Sequence, residues 1–145
     1  MKSINPYLGF NGNCEEAFTF YKSVFGGEFS GMQRFREVTD EESKKVLKPE
    51  EGEKIMHVAL PMGKGNFLMG SDSPEALGET KFGNHISISV HADNKEEADR
   101  LFAGLSVGGQ VTMPMADMFW GDYFGMCTDK FGFQWMVNYS QTPQK

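Results

Sequence analysis

The side chains in this sequence best suited to acid–base work are two histidines, His85 and His57. Imidazole titrates near neutral pH, so either could serve as a general base if a substrate lay within hydrogen-bond reach. His85 is the first candidate and His57 the second, and a structural hydrogen bond is the ordinary alternative for each. Asp72, Asp117 and Asp122 are near candidate strands in sequence, but no spacing forces them together with a histidine. Cys14 and Cys127 make neither a metal-ligand nor a redox spacing.

A second concentration of chemistry runs over residues 118–139, which carry both tryptophans, Trp120 and Trp135, together with Phe119, Tyr123, Phe124 and Tyr139. Asp129-Lys130-Phe131-Gly132 reads as a tight turn in which the glycine takes a positive φ. The strand-like runs on either side make this a β-hairpin with large aromatic side chains. They serve either as the wall of a cavity or as ordinary core. Met113, Met115, Met118 and Met126 cluster around Trp120. Thioethers suit an adaptable binding surface, and the same cluster suits core packing or a dimer seam.

The elements that must position these residues follow from the patterning. Strands are expected at residues 4–10, 28–36, 54–62, 66–71, 85–91, 110–115, 123–128 and 133–139. Asn13 with Glu16, and Asn94 with Glu97, have capping-box spacing ahead of two helices. The first helix carries Ala17, Phe18, Tyr21, Val24 and Phe25 at helical spacing and the second carries Ala98, Leu101, Phe102 and Leu105. Gly26-Gly27 and Gly108-Gly109 stop them. Residues 37–53 form a charged surface excursion with a helical turn. In residues 85–91 the alternation sets His85, Ser87, Ser89 and His91 against Ile86, Ile88 and Val90.

Setting Asn13 over Asn94 aligns Glu15, Glu16, Ala17 and Gly27 with Glu96, Glu97, Ala98 and Gly108 at a constant offset of 81 residues. A βαβββ unit is therefore used twice, over about 1–74 and 83–140. The expectation is one α+β domain of 145 residues, its paired modules forming a curved mixed sheet with a central cleft and the helices outside. A 39% hydrophobic and 23% charged composition is that of a soluble globular chain. The net charge of −6 argues against nucleic acid and anionic membranes as partners. No apolar run reaches the ~20 residues that span a bilayer, and residues 1–6 lack the core of a signal peptide. Two free thiols then point to the cytoplasm.

The wording of Pro6-Tyr7-Leu8-Gly9-Phe10, Asn13-Cys14-Glu15-Glu16-Ala17, Phe20-Tyr21, Phe119-Trp120-Gly121 and Asp129-Lys130-Phe131-Gly132-Phe133-Gln134-Trp135 resembles the PhnB-like branch of the vicinal oxygen chelate superfamily. That superfamily includes glyoxalase I, extradiol dioxygenases and the bleomycin and fosfomycin resistance proteins, and its architecture is the paired βαβββ module (the glyoxalase/bleomycin resistance/dioxygenase fold). Its enzymes hold a divalent metal through four ligands, typically His and Glu, one from the first and one from the last strand of each module. Carried onto this chain, those positions fall on Pro6, on Met69 or Gly70, on His85 or Ser87, and on Trp135 or Met136. At most one ligand survives, whereas a catalytic metal needs three from the protein. The resemblance therefore implies no metal cofactor. The branch also carries a demethylubiquinone methyltransferase-like label, yet no Gly-rich nucleotide-binding turn follows the first strand.

The function expected is metal-independent binding of a small, partly aromatic or oxygenated molecule in an apolar cleft. Its lining would be Leu8, Phe10, Met69, His85, Ser87, Trp120, Phe124 and Trp135. The alternative is a metal-dependent lyase, isomerase or dioxygenase built on a non-standard site. Superfamily members commonly pair, and open sheet edges need cover, so a homodimer is expected.

Overall fold

The structure, a computed structural model, describes residues 1–45 and 47–141. The chain falls into two compact units, Met1–Lys81 and Phe82–Lys145. Each contains one long helix on one four-stranded mixed sheet, in an α+β fold with the helices outside.

In the first unit, strand β1 (Tyr7–Phe10) leads into helix α1 (Cys14–Phe25), followed by β2 (Gly31–Arg34), the short helix α2 (Glu41–Lys44), β3 (Ile55–Gly63) and β4 (Asn66–Asp72). The sheet order is β1-β4-β3-β2, with β1 parallel to β4 and the other pairs antiparallel. The apolar stripe of α1 is the expected one: Ala17, Phe18, Tyr21 and Val24 are buried, with Cys14. Beneath it lie Leu8, Phe10, Val58, Leu60 and Leu68. Phe10 meets Phe18 edge-on at 6.0 Å, and Phe18 meets Tyr21 at 5.5 Å.

The start of α1 departs from expectation. Asn13 makes no side-chain cap. The buried carboxylate of Asp72 instead accepts from the N–H groups of Gly12 at 2.9 Å, Cys14 at 3.0 Å and Ile55 at 2.8 Å. One acid at the end of β4 thus satisfies the helix start and the start of β3 together. The excursion over 37–53 is tied down as well. Glu51 is 1% exposed, and its carboxylate accepts from the backbone N–H of Lys48 at 3.2 Å and of Glu75 at 2.8 Å.

In the second unit, β5 (Ile88–His91), helix α3 (Lys95–Ser106), β6 (Gln110–Asp117), β7 (Asp122–Thr128) and β8 (Gln134–Ser140) repeat the plan in the order β5-β8-β7-β6. Here the capping residue works as expected. The Asn94 side chain accepts from Glu97 N–H at 2.7 Å, and Glu97 reaches back to Asp93 N–H at 2.9 Å. Ala98, Leu101, Phe102 and Leu105 are buried over Trp135, Val137 and Cys127.

The two long helices keep the 81-residue offset along their whole length, but the first strands do not keep their faces. Leu8 and Phe10 pair with Gly70 and Asp72 and point toward α1, whereas Ile88 and Val90 pair with Trp135 and Val137 and point toward α3. β5 is therefore one residue out of step with β1. His91, the counterpart of Phe10 in the repeat, faces away from its helix. Three expected strands are also shorter than their patterns: Ile4 is 80% exposed before β1, β2 is four residues long, and His85 to Ser87 precede β5 without joining it.

Candidate functional site

Each sheet has one face under its helix and one free of it, and chemistry gathers on the free faces. In the first unit the free face takes Tyr7 and Gly9 from β1, Met69 and Ser71 from β4, and His57 and Ala59 from β3, as the pairings Tyr7–Met69, Gly9–Ser71 and Ala59–Met69 require. Neighbouring strands lie ~4.8 Å apart, so β1 and β3, on either side of β4, are separated by about twice that distance. Two long side chains bridge it: Tyr7 Oη lies 3.2 Å from His57 Nδ1, and the rings are tilted by 31° with centroids 5.7 Å apart. The small residues Gly9 and Ser71 lie low beside this bridge. Thr80 sits above Gly9, where an added Cβ would come within 3.2 Å of its methyl group. The Asn11 side chain fixes that segment by exchanging hydrogen bonds of 2.9 and 2.7 Å with the Thr80 backbone.

In the second unit the register draws two rows across the free face. Met113, Met126, Met136 and Ser89 form one, and Ala116, Phe124, Asn138 and His91 form the next. His91 Nε2 lies 3.3 Å from Ser89 Oγ, and its Nδ1 lies 3.5 Å from the amide nitrogen of Asn138. The turn between β6 and β7 adds aromatic surface. Trp120 is 48% exposed and stands edge-on to Phe124 at 6.0 Å, while Phe119, 97% exposed, packs edge-on to Trp120 at 5.0 Å.

Of the residues expected to line a cleft, Met69, Phe124 and Trp120 belong to the free sides of their units. Leu8 and Phe10 do not: both are core under α1, because the alternation of β1 puts Tyr7 and Gly9 on the other face. Trp135 is core under α3, 1% exposed, with its indole N–H donating to Asp129 at 2.8 Å. The two tryptophans therefore serve opposite sides of one sheet. His85 is exposed and Ser87 half-buried, both ahead of β5. Tyr7, His91 and Asn138 were not singled out from sequence. The period-2 pattern could have found the first two: Tyr7 alternates with Leu8, and His91 ends the polar face that begins at His85.

Of the positions that the resemblance implies for metal ligands, Met69 and Met136 lie on the free faces. The free-face residues in register on first and last strands are Tyr7 with Met69, Gly9 with Ser71, Ser89 with Met136 and His91 with Asn138. Pro6 precedes β1, and Gly70 and Trp135 face the helices. Among the described residues, no three His, Cys, Asp or Glu side chains gather as metal ligands.

Two cavities lie elsewhere in the first unit. One of about 340 Å³ is bordered by Gly12, Glu15, Arg34, Glu53, Lys54, Ile55 and Asp72. Its charges are internally matched: Arg34 grips Glu15 through bonds of 3.0 and 2.7 Å, which hold the Glu15 carboxyl below its usual range. The other, about 250 Å³, lies among Phe35, Val38, Leu47 and Pro49 in the charged excursion.

A family model described as 3-demethylubiquinone-9 3-methyltransferase matches residues 2–138. The crystal structure of protein PA1353 from Pseudomonas aeruginosa is similar at 41% identity, over 97% of this chain and 98% of that one, with a TM-score of 0.83. A putative 3-demethylubiquinone-9 3-methyltransferase, PhnB protein, from Bacillus cereus is similar at 28% identity, over 95% and 99%, with a TM-score of 0.74. A glyoxalase/bleomycin resistance protein/dioxygenase family enzyme from Burkholderia phytofirmans shares the fold at 19% identity, over 92% and 95%, with a TM-score of 0.59.

Proposed function

The chain belongs to the PhnB-like family whose model is described as 3-demethylubiquinone-9 3-methyltransferase, within the glyoxalase/bleomycin resistance/dioxygenase superfamily, and from that premise we propose that it binds a small, partly aromatic or oxygenated molecule without a glyoxalase-type metal centre. The observation that carries the reading is the half-exposed indole of Trp120, held edge-on to Phe124, whose row on the free face neighbours a row of three methionines. Such a surface favours a flat ligand, since aromatic pairing contributes about 0.5–1.5 kcal/mol beyond the area buried. Thioethers then adapt to its outline.

Methyl transfer is not part of the proposal. The reading includes self-association through sheet edges. It is supported by β6, an edge strand on which Val111 is 44% and Met113 40% exposed. Light scattering should give twice the chain mass, and a monomer at micromolar concentration would remove that element.

The test of binding is a fluorescence titration with 4-nitrophenol beside metal analysis of protein purified without chelator. Saturable quenching that disappears in Trp120→Ala, with substoichiometric metal, is the expected outcome. Unchanged binding by Trp120→Ala would remove the aromatic argument. One equivalent of a transition metal would overturn the metal-free reading.

A further inference from the structure

The geometry of Tyr7 and His57 points to a receptor for an acidic hydroxyl, phenolic or enolic, on the free face of the first unit. This rests on the reading that the chain binds a small molecule, and it is argued from the first unit alone. Tyr7 Oη engages His57 Nδ1 at 3.2 Å, and that leaves Nε2 as the ring atom for a ligand. Tyr7 is 50% exposed and His57 half-buried, so both are reachable from solvent.

The two tautomers of His57 differ in what they present. With Nδ1–H donating to Tyr7 Oη, the phenolic hydrogen of Tyr7 turns outward as a donor and Nε2 is a free lone pair. A ligand hydroxyl placed against Nε2 gives up its proton: the ligand O–H bond breaks, its electron pair stays on oxygen, and an N–H bond forms at Nε2. The imidazolium so formed is steadied on its other side by the Nδ1–H bond to Tyr7. The oxyanion keeps the new Nε2–H hydrogen bond, and Tyr7 O–H is available to a second oxygen of the ligand. Opposite charges held together in this way strengthen the bond.

The neighbours decide the ligand class. Gly9, Ala59, Met69, Ser71 and, opposite His57 on β2, Gln33 share the face, and none of these is charged. A ligand that arrives as a strong anion finds no cation to meet it and loses hydration. A neutral hydroxyl that ionises only on contact avoids that cost. Ser71 is small and the Met69 thioether shares the face, while Thr80 covers Gly9.

The experiment uses 4-nitrophenol and its methyl ether, 4-nitroanisole, which keeps the ring and lacks the proton. Calorimetry measures binding, the yellow phenolate absorption reports ionisation of the bound probe, and the His57 ring resonances report the site. The expected result is that 4-nitrophenol binds at least tenfold more tightly than the ether, gains phenolate absorption on binding and shifts the His57 resonances. His57→Gln should abolish the absorption gain, and Tyr7→Phe should reduce it while leaving the fold intact by circular dichroism. Equal binding of both probes, or His57 resonances unmoved at saturation, would overturn the assignment and leave the binding reading standing. Failure of both probes to bind would count against the binding reading itself. The wild-type resonances decide the matter even if a variant fails to fold.

Discussion

The indole N–H of Trp135 donates to the Asp129 carboxylate at 2.8 Å, and both residues are at most 3% exposed. The other carboxylate oxygen accepts from the N–H groups of Phe131 at 2.8 Å and Phe133 at 3.1 Å. One acid therefore closes the β7–β8 turn and fastens the largest core side chain of the second unit. Gly132 at φ 96° completes the turn, as the sequence motif requires. The distinctive Asp-Lys-Phe-Gly-x-x-Trp wording is thus a folding device whose terms are interlocked by hydrogen bonds.

Asp129→Ala should consequently be among the most damaging single changes in the second unit. It leaves two backbone donors and one indole donor in a buried setting, and each such group costs about 1–3 kcal/mol when unpaired, with incomplete additivity. A loss of roughly 3 kcal/mol in chemical denaturation is expected. Asp129→Asn keeps an acceptor for only one side of the arrangement, so it should fall between. A loss below about 1 kcal/mol for the alanine variant would show that the turn holds without its acid.

Close approach of backbone makes two glycines irreplaceable for a different reason. A Cβ at Gly109 would lie 2.1 Å from the carbonyl oxygen of Thr128, and one at Gly70 would lie 2.7 Å from the Phe18 ring and 2.8 Å from the Leu8 carbonyl oxygen. None of these partners is a flexible side-chain tip. Gly70→Ala should cost about 1–3 kcal/mol, the range of an overpacked core, and Gly109→Ala at least as much. Gly31→Ala is the control: nothing lies within 4 Å of its added Cβ, so a change within about 0.5 kcal/mol is expected. Equal thermal shifts in all three variants would refute the steric account.

Periodicity made the architecture legible. Both helix stripes, the glycine stops and the order of strands follow from local spacing that burial merely confirms, and the two long helices match residue for residue. Facing was less legible, because a strand inverted by one residue exchanges its two sides. Leu8 and Phe10 were assigned to a ligand on apolar character alone, although apolar character is also what α1 needs beneath it. Trp135 was read by its bulk, and only the carboxylate six residues earlier explains why it is buried. The bonds of Asp72 to Gly12, Cys14 and Ile55 and of Glu51 to Glu75 had no local signal, since those partners are set by tertiary structure. The Tyr7–His57 bridge spans 50 residues of chain and depends on β4 lying between β1 and β3.

The two cysteines offer a test in solution. Burial raises the Cys14 thiol far above its ordinary value of 9.0, with the Asp72 and Glu15 charges adding to the effect, and burial likewise raises Cys127, with Asp129 adding and Ser106 opposing. The thiolate is the reactive form, so neither cysteine should react with an aromatic disulfide reagent at pH 8 in the native protein, and both should react in guanidinium. The same shifts set an alkaline limit. Groups that hold protons more tightly when folded stabilise the fold fully below the unfolded value. As pH rises past 9.0 the unfolded chain sheds protons that the native chain retains, and stability falls. Denaturation midpoints should therefore decline above that pH, and Cys14→Ala should flatten the decline while costing some stability at neutral pH. Rapid labelling of the native protein, or an alkaline decline equally steep in Cys14→Ala, would show that the thiols are not sealed in the core.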